Sequence, residues 1–278
     1  MRGIISRFAP APTGYLHLGH VVNAVYVWRE TRACGGTVLL RIEDHDRQRS
    51  RTEFEAAILE DLAWLGFAAD APPVRQSERD DIYRHALDTL RRKGLVYACG
   101  CSRAAIVAAR AADTSAVAQP FRAADTELPY PATCRERGLA DGPGLALRVR
   151  LAPSVERFVD LRLGPQEQRP FEQCGDLLIR DRDGNWTYQF AATVDDFVQG
   201  VTLVVRGVDL LASTGRQIQL ARLLGRAEPP RFLHHPLIMK RADQKLSKSD
   251  RDTGIRELRG RGWTPQQVIA AALAAAEE

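Results

Sequence analysis

Residues 4–20 read Ile4-Ile5-Ser6-Arg7-Phe8-Ala9-Pro10-Ala11-Pro12-Thr13-Gly14-Tyr15-Leu16-His17-Leu18-Gly19-His20, and this order of apolar run, proline-broken loop and His-x-Gly-His tetrad decides the fold. Ile4 to Phe8 is the length of a short buried strand, and Pro10 and Pro12 lack the N–H groups that ladder pairing needs, so the chain leaves the sheet there. A helix is expected from about His17, with Val21, Val22, Ala24, Val25 and Trp28 on its apolar face and an end before Gly35-Gly36. Thr37-Val38-Leu39-Leu40-Arg41-Ile42 then predicts a second strand. Strand, helix and strand with a connection of this length form a right-handed parallel crossover, the unit of an α/β domain. Ligands of such sheets bind beyond the carboxyl ends of the strands, where His17 and Glu43 fall.

Working outward, apolar residues recur at three- and four-residue spacing from Thr52 to Leu65 and from Asp80 to Lys93, which predicts two more helices. From about Cys99 to Asp183 the texture changes to a cysteine cluster, an alanine-rich stretch, scattered prolines and short strand-like runs such as Leu145 to Arg150, as expected of an inserted domain. Asp181-Arg182-Asp183-Gly184 is a hairpin-type turn signal. Trp186 to Val194 and Val201 to Arg206 resume apolar strand or helix patterns, and Val268 to Glu278 is an alanine-rich helix former.

The 278 residues are 45% hydrophobic, enough to bury one large core or two modest ones. Nothing approaches eighteen uninterrupted apolar residues, and no basic segment, apolar run and cleavage site open the chain, so a cytoplasmic protein with no membrane partner is expected. A net charge of +4 suits an anionic partner such as RNA but does not require one. Five cysteines fit a reducing compartment, with metal ligation ahead of disulfides. A monomer is the expectation for a chain with no evident large apolar face.

The tetrad is expected about 0.01 times by chance in a chain of this composition, so it marks a site. A helix starting there presents unpaired N–H groups and a positive dipole end, suited to a nucleotide phosphate. His17 and His20 add donors that can stabilise charge on an α-phosphate under attack by a carboxylate, and Gly19 leaves room for an adenine ring. Only four of the 39 basic residues are lysines, and three, Lys240, Lys245 and Lys248, fall within nine residues, the last two in Lys245-Leu246-Ser247-Lys248-Ser249. Compact ammonium groups kept in an arginine-biased chain suit a departing pyrophosphate. Cys99, Cys101 and Cys134 are candidate metal thiolates. Cys34 and Cys174 read as small buried hydrophobes. Asp44, His45 and Asp46 read as a hydrogen-bonded loop, and His234 and His235 as structural.

Arg7 to Gly14, His17 to His20 and Lys245 to Ser249 together resemble the class I aminoacyl-tRNA synthetases, specifically the glutamyl branch, over nearly the whole chain. The resemblance implies ATP with magnesium as substrate, bound by His17, Gly19, His20, Lys245 and Lys248, with His17, His20 and Lys248 catalytic. It implies that Arg7, Phe8, Ala9, Pro10, Ala11, Glu43, Tyr188 and Arg206 bind glutamate, Arg7 at its side chain and Glu43 at its α-amino group. Ala192 departs from the pattern, standing where the branch carries asparagine, and the loop ends in Ser249-Asp250 rather than the usual wording. Val204 to Leu220 resembles most the short members of the branch, which activate glutamate without tRNA and transfer it to queuosine in the anticodon of tRNA(Asp). With residues 250–278 following the lysine loop, no anticodon-binding domain is expected, in line with that group. Its zinc pattern implies one structural zinc on Cys99, Cys101, Tyr130 and Cys134.

The expected fold is a Rossmann-like parallel-sheet domain in two halves, residues 1–98 and 186–238, around a zinc-containing α+β insert at 99–185, with the lysine loop and a helical segment at 239–278. The alternatives are a minimal glutamyl-tRNA synthetase charging tRNA(Glu), a small-molecule nucleotidyltransferase, and a zinc-dependent RNA-binding module without catalysis.

Overall fold

In the computed structural model, which describes residues 3–112, 129–241, 244–245 and 254–277, the chain leaves β1 (Ile5–Phe8) through the two-proline loop and enters α1 (Leu18–Ala33) at His17. The return strand β2 (Thr37–Ile42) runs parallel to β1, in register from Ile5 opposite Thr37 to Phe8 opposite Leu40. A Cβ on Gly36 would stand 2.7 Å from the Ile4 carbonyl oxygen, so glycine is what lets the chain enter β2 this close to β1. The helix α2 (Thr52–Leu65) then leads to β3 (Val74–Arg75), parallel to β2.

After α3 (Asp80–Arg92) come β4 (Val96–Cys99), α4 (Arg103–Ala112), β5 (Ala146–Val149), β6 (Glu156–Asp160), β7 (Gly164–Gln168), α5 (Pro170–Cys174) and β8 (Leu177–Arg180). α6 (Tyr188–Val198), β9 (Leu203–Gly207), α7 (Thr214–Leu223) and β10 (Arg231–His235) follow, then the short hairpin β11 (Met239–Arg241) and β12 (Gln244–Lys245), and α8 (Ile255–Gly260) and α9 (Pro265–Glu277). β9, β10 and β6 are parallel neighbours, with β7 antiparallel at the edge. This sheet meets β1 edge on: the Thr202 N–H donates to the Ile5 carbonyl at 2.8 Å, and the Ile5 N–H donates to Thr202 Oγ1 at 2.9 Å. Phe8, Val22, Val27, Val38 and Ile42 from one side and Leu203, Val205 and Leu233 from the other therefore share one core. Each such side chain contributes about 1.5–3 kcal/mol by leaving water.

β4, β5 and β8 form a separate antiparallel sheet. Its core joins Leu147 and Leu177 to Tyr83 and Leu87 of α3 and Phe190 of α6. The sheets do not follow the limits 99–185 expected for the insert. β4 starts at Val96, and β6–β7, inside those limits, pair with β10. A short alternating strand reads alike whichever sheet receives it, because its partner is distant in sequence. The run from Trp186, open between strand and helix, is helical from Tyr188, where the Thr187 side chain accepts from the Phe190 N–H and caps α6. The expected turn is present: Asp181 N–H donates to the Asn185 carbonyl at 2.9 Å, and Arg180 bridges Trp186. Cys34, expected buried, is exposed, because it caps the carboxyl end of α1 on the surface turn into Gly35.

The C-terminal helix is part of the main core. Val268, Ala272 and Ala276 of α9 are buried in the same cluster as Val22 and Ile58, and the alanines let α9 lie close against α1 and α2. Beside this contact, Asp61 of α2 is fully buried, and neither carboxylate oxygen is hydrogen-bonded among the described residues. Burial pushes its carboxyl up to about 6, with Arg256 and Arg259 opposing the rise and Glu60 adding to it. The folded state then binds this proton more tightly than the unfolded chain, so the group costs stability as pH rises from about 4 to about 6. The stability of Asp61→Asn relative to wild type is expected to improve by about 2 kcal/mol between pH 4.5 and 7.5, read by urea unfolding at both. A pH-independent difference would contradict the burial argument. Among the described residues no helix is long and apolar enough to cross a membrane.

Candidate active site

The start of α1 is capped by its own two histidines. His17 has extended backbone angles and its Nδ1 accepts from the Gly19 N–H at 3.1 Å, while His20 Nδ1 accepts from the His17 N–H at 3.1 Å. This is a capping box built from imidazoles instead of hydroxyl and carboxylate. Each Nδ1 is committed as an acceptor, which assigns the proton of a neutral ring to Nε2 and leaves both rings with a donor there. The two ring centroids are 3.9 Å apart. A Cβ on Gly19 would stand 3.0 Å from His17 Cε1, so the flat ring covering that glycine here is His17's own. Downstream of the lysine loop the chain returns to the same place: Gly254 bridges His17, and the Ile255 N–H donates to the Leu16 carbonyl at 3.0 Å. Lys245 ends β12 opposite Met239, and Lys248 lies outside the described residues.

Beyond the strand ends lies a buried group of charges. The Glu43 N–H donates to the Pro10 carbonyl at 3.0 Å, which ties the loop after β2 to the loop after β1. Arg7, at 4% exposure, donates from Nε to Asp196 Oδ1 at 2.9 Å, and its Nη2 makes no hydrogen bond among the described residues. Arg41 donates to the same Asp196 oxygen at 2.7 Å and to Glu43 Oε1 at 3.1 Å. Burial works against the Asp196 carboxylate, but Arg7 and Arg41 hold its carboxyl down at about 2. The Tyr188 phenol is raised above its usual value by burial and by Glu43 and Asp196, against the pull of Arg206 and Arg7, so three other expected glutamate residues lie near enough to act on it by charge. Phe8 instead points into the core against Trp28, ring centroids 5.6 Å apart, while Ala9 and Ala11 flank Pro10 on the loop. Ala192, buried on α6, brings no polar atom to this wall.

Arg206, at the end of β9, is held on three sides: Nε donates to His234 Nε2 at 3.0 Å, Nη1 to Gln217 Oε1 at 2.6 Å and Nη2 to Thr214 Oγ1 at 2.8 Å. His234 in turn sits 2.7 Å from Asp160 Oδ2 through Nδ1. A ring that accepts at Nε2 carries its proton on Nδ1, and burial, with Arg206 beside it, drops its value to about 4. His234 is thus structural, but its partner Arg206 is one of the expected glutamate residues. Asp44 accepts from the Ser77 N–H and hydroxyl, and His45 Nδ1 lies 2.6 Å from Gln76 Oε1, a hydrogen-bonded loop as the sequence implied.

The sequence reading missed Arg41, Asp196 and Asp160. A signal for two of them was present: Arg41 interrupts the apolar run of β2, and Asp196, beside Asp195, interrupts that of α6.

At the rim of the second sheet, Cys99, Cys101 and Cys134 bring their Sγ atoms within 4.8 Å of one another, the arrangement that can hold a metal ion among the described residues. The Tyr130 hydroxyl lies 3.3 Å from Cys99 Sγ and 3.9 Å from Cys101 Sγ, spacings that fit four donors around one tetrahedral ion. Burial opposes ionisation of Cys134, but the Gly100 N–H and hydrogen bonds from Cys101, Tyr130 and Cys99 outweigh it and hold the thiol at about 7. The Arg148 guanidinium lies 3.7 Å over the Tyr130 ring, and the Tyr130 N–H donates to the Cys174 carbonyl at 2.9 Å. A Cβ on Gly175, at φ +64°, would stand 2.2 Å from the Tyr130 carbonyl oxygen. Gly175→Ala is therefore expected to cost at least about 2 kcal/mol, read as a lower melting temperature; an unchanged melt would show that this loop can yield.

A parallel sheet with a helix N-terminus, two histidines and a group of buried charges beyond its carboxyl edge places these residues where enzymes of the α/β class bind their ligands. Residues 3–274 match the family model for "tRNA synthetases class I (E and Q), catalytic domain", and the chain belongs to that family. It is 46% identical over 247 residues to the "Glutamyl-Q tRNA(Asp) synthetase" of Bordetella bronchiseptica, covering 88% of this chain and 75% of the relative. It is 44% identical over 273 residues to the protein of that name from Geobacter sulfurreducens, covering 97% and 83%. A glutamate tRNA ligase from Elizabethkingia meningosepticum, solved with its amino acid, superposes with a TM-score of 0.73 at 28% identity over 94% of this chain. The chain spans 54% of that ligase, about half its length.

Proposed function

We propose that this chain is an ATP-dependent ligase that makes glutamyl-adenylate and passes the glutamyl group to queuosine in the anticodon of tRNA(Asp). The observation that carries the amino-acid assignment is the set of charges around Tyr188, which are Arg7, Arg206, Glu43 and Asp196. Asp196 is offset by its pair with Arg41, which leaves two guanidinium groups, Arg7 and Arg206, and one carboxylate, Glu43. Glutamate carries the complement, two carboxylates and one ammonium. Arg7 takes the side-chain carboxylate through its remaining Nη2, a charge-assisted contact that the neutral amide of glutamine cannot match, and Glu43 takes the α-ammonium. Arg206 fixes the Tyr188 side of the pocket.

The α-carboxylate oxygen attacks the α-phosphorus of ATP, the bond to the pyrophosphate bridge breaks, and pyrophosphate leaves with its magnesium. Protein groups act here by position and charge, with no covalent intermediate on the enzyme. His17 and His20 donate from Nε2 to the charge growing on the α-phosphate, and Lys245 and Lys248 hold the departing pyrophosphate. A hydroxyl of the cyclopentene ring of queuosine then attacks the glutamyl carbonyl and AMP leaves, giving an ester on the base. Cys99, Cys101, Tyr130 and Cys134 would hold one structural zinc, which leaves no ligand position for water and so takes no part in the chemistry. The homologues' shared name supports the RNA acceptor.

The test is ATP–pyrophosphate exchange without RNA, offering glutamate, glutamine and aspartate in turn. Exchange with glutamate alone supports the reading. Exchange with glutamine at a comparable rate, or none with any of the three, overturns it.

A further inference from the structure

We infer that Asp196 and Arg41 are positioning residues that fix the distance between the two ends of the amino-acid site, and so decide the chain length of the substrate. The inference rests on the glutamate reading above. Asp196 Oδ1 accepts from both Arg7 Nε, at 2.9 Å, and Arg41 Nη1, at 2.7 Å. The other arm of the Arg41 fork reaches Glu43 Oε1 at 3.1 Å. The groups for the side-chain carboxylate and for the ammonium are thereby joined through one flat guanidinium and one carboxylate oxygen. Arg41 has no exposed surface, and Gln199 Oε1, 3.1 Å from Nη1, holds it as well. A planar fork has fixed spacing between its arms, so this linkage acts as a ruler in a way a flexible ammonium does not.

Stability alone does not account for the arrangement. Buried ion pairs are commonly no more stabilising than well-packed apolar residues of the same volume, because desolvation offsets their attraction. The neighbouring aspartate provides the contrast. Asp195 Oδ2 accepts from Gln76 at 2.9 Å and from the Tyr83 hydroxyl at 2.8 Å, and Asp195 Oδ1 from Arg79 at 2.7 Å. Those bonds tie α3 and the turn before it to α6, with Arg41 Nε no nearer than 3.8 Å, and Asp195 has no hydrogen bond to Arg7 or Glu43. Two adjacent acids thus divide the work: Asp195 joins elements, and Asp196 spaces the site.

The experiment compares wild type, Asp196→Glu, Arg41→Lys and Asp195→Asn in exchange assays with glutamate, aspartate and ATP each varied. Asp196→Glu keeps the charge but adds one methylene, which pushes Arg7 into the pocket. A pocket misfitted by one methylene discriminates by about 10- to 200-fold, so KM for glutamate should rise by that much, with kcat within about threefold and KM for ATP unchanged. The preference in kcat/KM for glutamate over aspartate should fall by at least about tenfold. Arg41→Lys, which keeps charge without the fork, should show the same pattern. Asp195→Asn should lower the melting temperature and leave KM for glutamate within about threefold. The ruler is overturned if Asp196→Glu and Arg41→Lys keep wild-type KM and selectivity, if KM for ATP rises in step, if Asp195→Asn matches them, or if both site variants fail to fold. Absence of glutamate exchange in the wild type would instead refute the reaction itself.

Discussion

Arg7→Ala is expected to abolish glutamate activation, lowering kcat/KM for glutamate in the exchange assay by at least about 10³-fold. Arg7 is almost wholly buried at the end of β1, with its Nε on Asp196 and its Nη2 left for substrate. Removing one partner of a desolvated, hydrogen-bonded charge pair costs about 2–5 kcal/mol or more, and here two negative groups lose it at once, the substrate carboxylate and Asp196. Arg41 still pairs with Asp196, so the fold should survive, as circular dichroism and a melt would show. Arg7→Lys should recover little, because one ammonium cannot face two carboxylates in the directions a fork can. A kcat/KM within about tenfold of wild type in Arg7→Ala would mean that the side-chain carboxylate binds elsewhere.

The second large effect is expected at His20. In His20→Ala the His17 N–H loses its acceptor and the site loses one Nε2–H donor, so helix capping and chemistry fail together. Loss of a cap costs about 1 kcal/mol of stability, a small shift in melting temperature. Loss of a donor aimed at developing charge costs about 10²–10³ in kcat, with KM for glutamate unchanged because the ring serves the phosphate and not the amino acid. His20→Asn offers an amide that can both accept from the His17 N–H and donate outward, so it should recover part of both losses. If His20→Ala lowers stability but not kcat, the tetrad is a cap only, and the ATP site must be sought elsewhere.

The beginning of the chain was legible because its signals are local. Two prolines ending a strand, a tetrad opening a helix and an apolar run after Gly35-Gly36 each act within a few residues, and β1, α1 and β2 follow them. The metal-type cluster was legible through residue chemistry: thiols at 99, 101 and 134 converge as their type suggested. Membership of β6 and β7 was not, since their partner β10 is specified by packing across the whole molecule. The interior of the site was half legible. The expected glutamate residues Arg7, Glu43, Tyr188 and Arg206 lay in or beside motifs, whereas Arg41 and Asp196, bonded to Glu43 and Arg7, and Asp160, which reaches Arg206 through His234, have no motif of their own. Their trace is a charge standing inside an apolar run, which carries meaning only once the neighbouring element is known. Cys34 went the other way: a thiol alone suggested burial, and the end of α1 put it on the surface.

The most direct measurement supplies the protein with ATP, magnesium and radiolabelled glutamate, and offers three RNAs in parallel: tRNA(Asp) with queuosine, tRNA(Asp) without it, and tRNA(Glu). Label on the queuosine-containing tRNA(Asp) alone is the predicted result. Label on tRNA(Glu), or on tRNA(Asp) irrespective of queuosine, would contradict the account and return the chain to charging a terminal ribose.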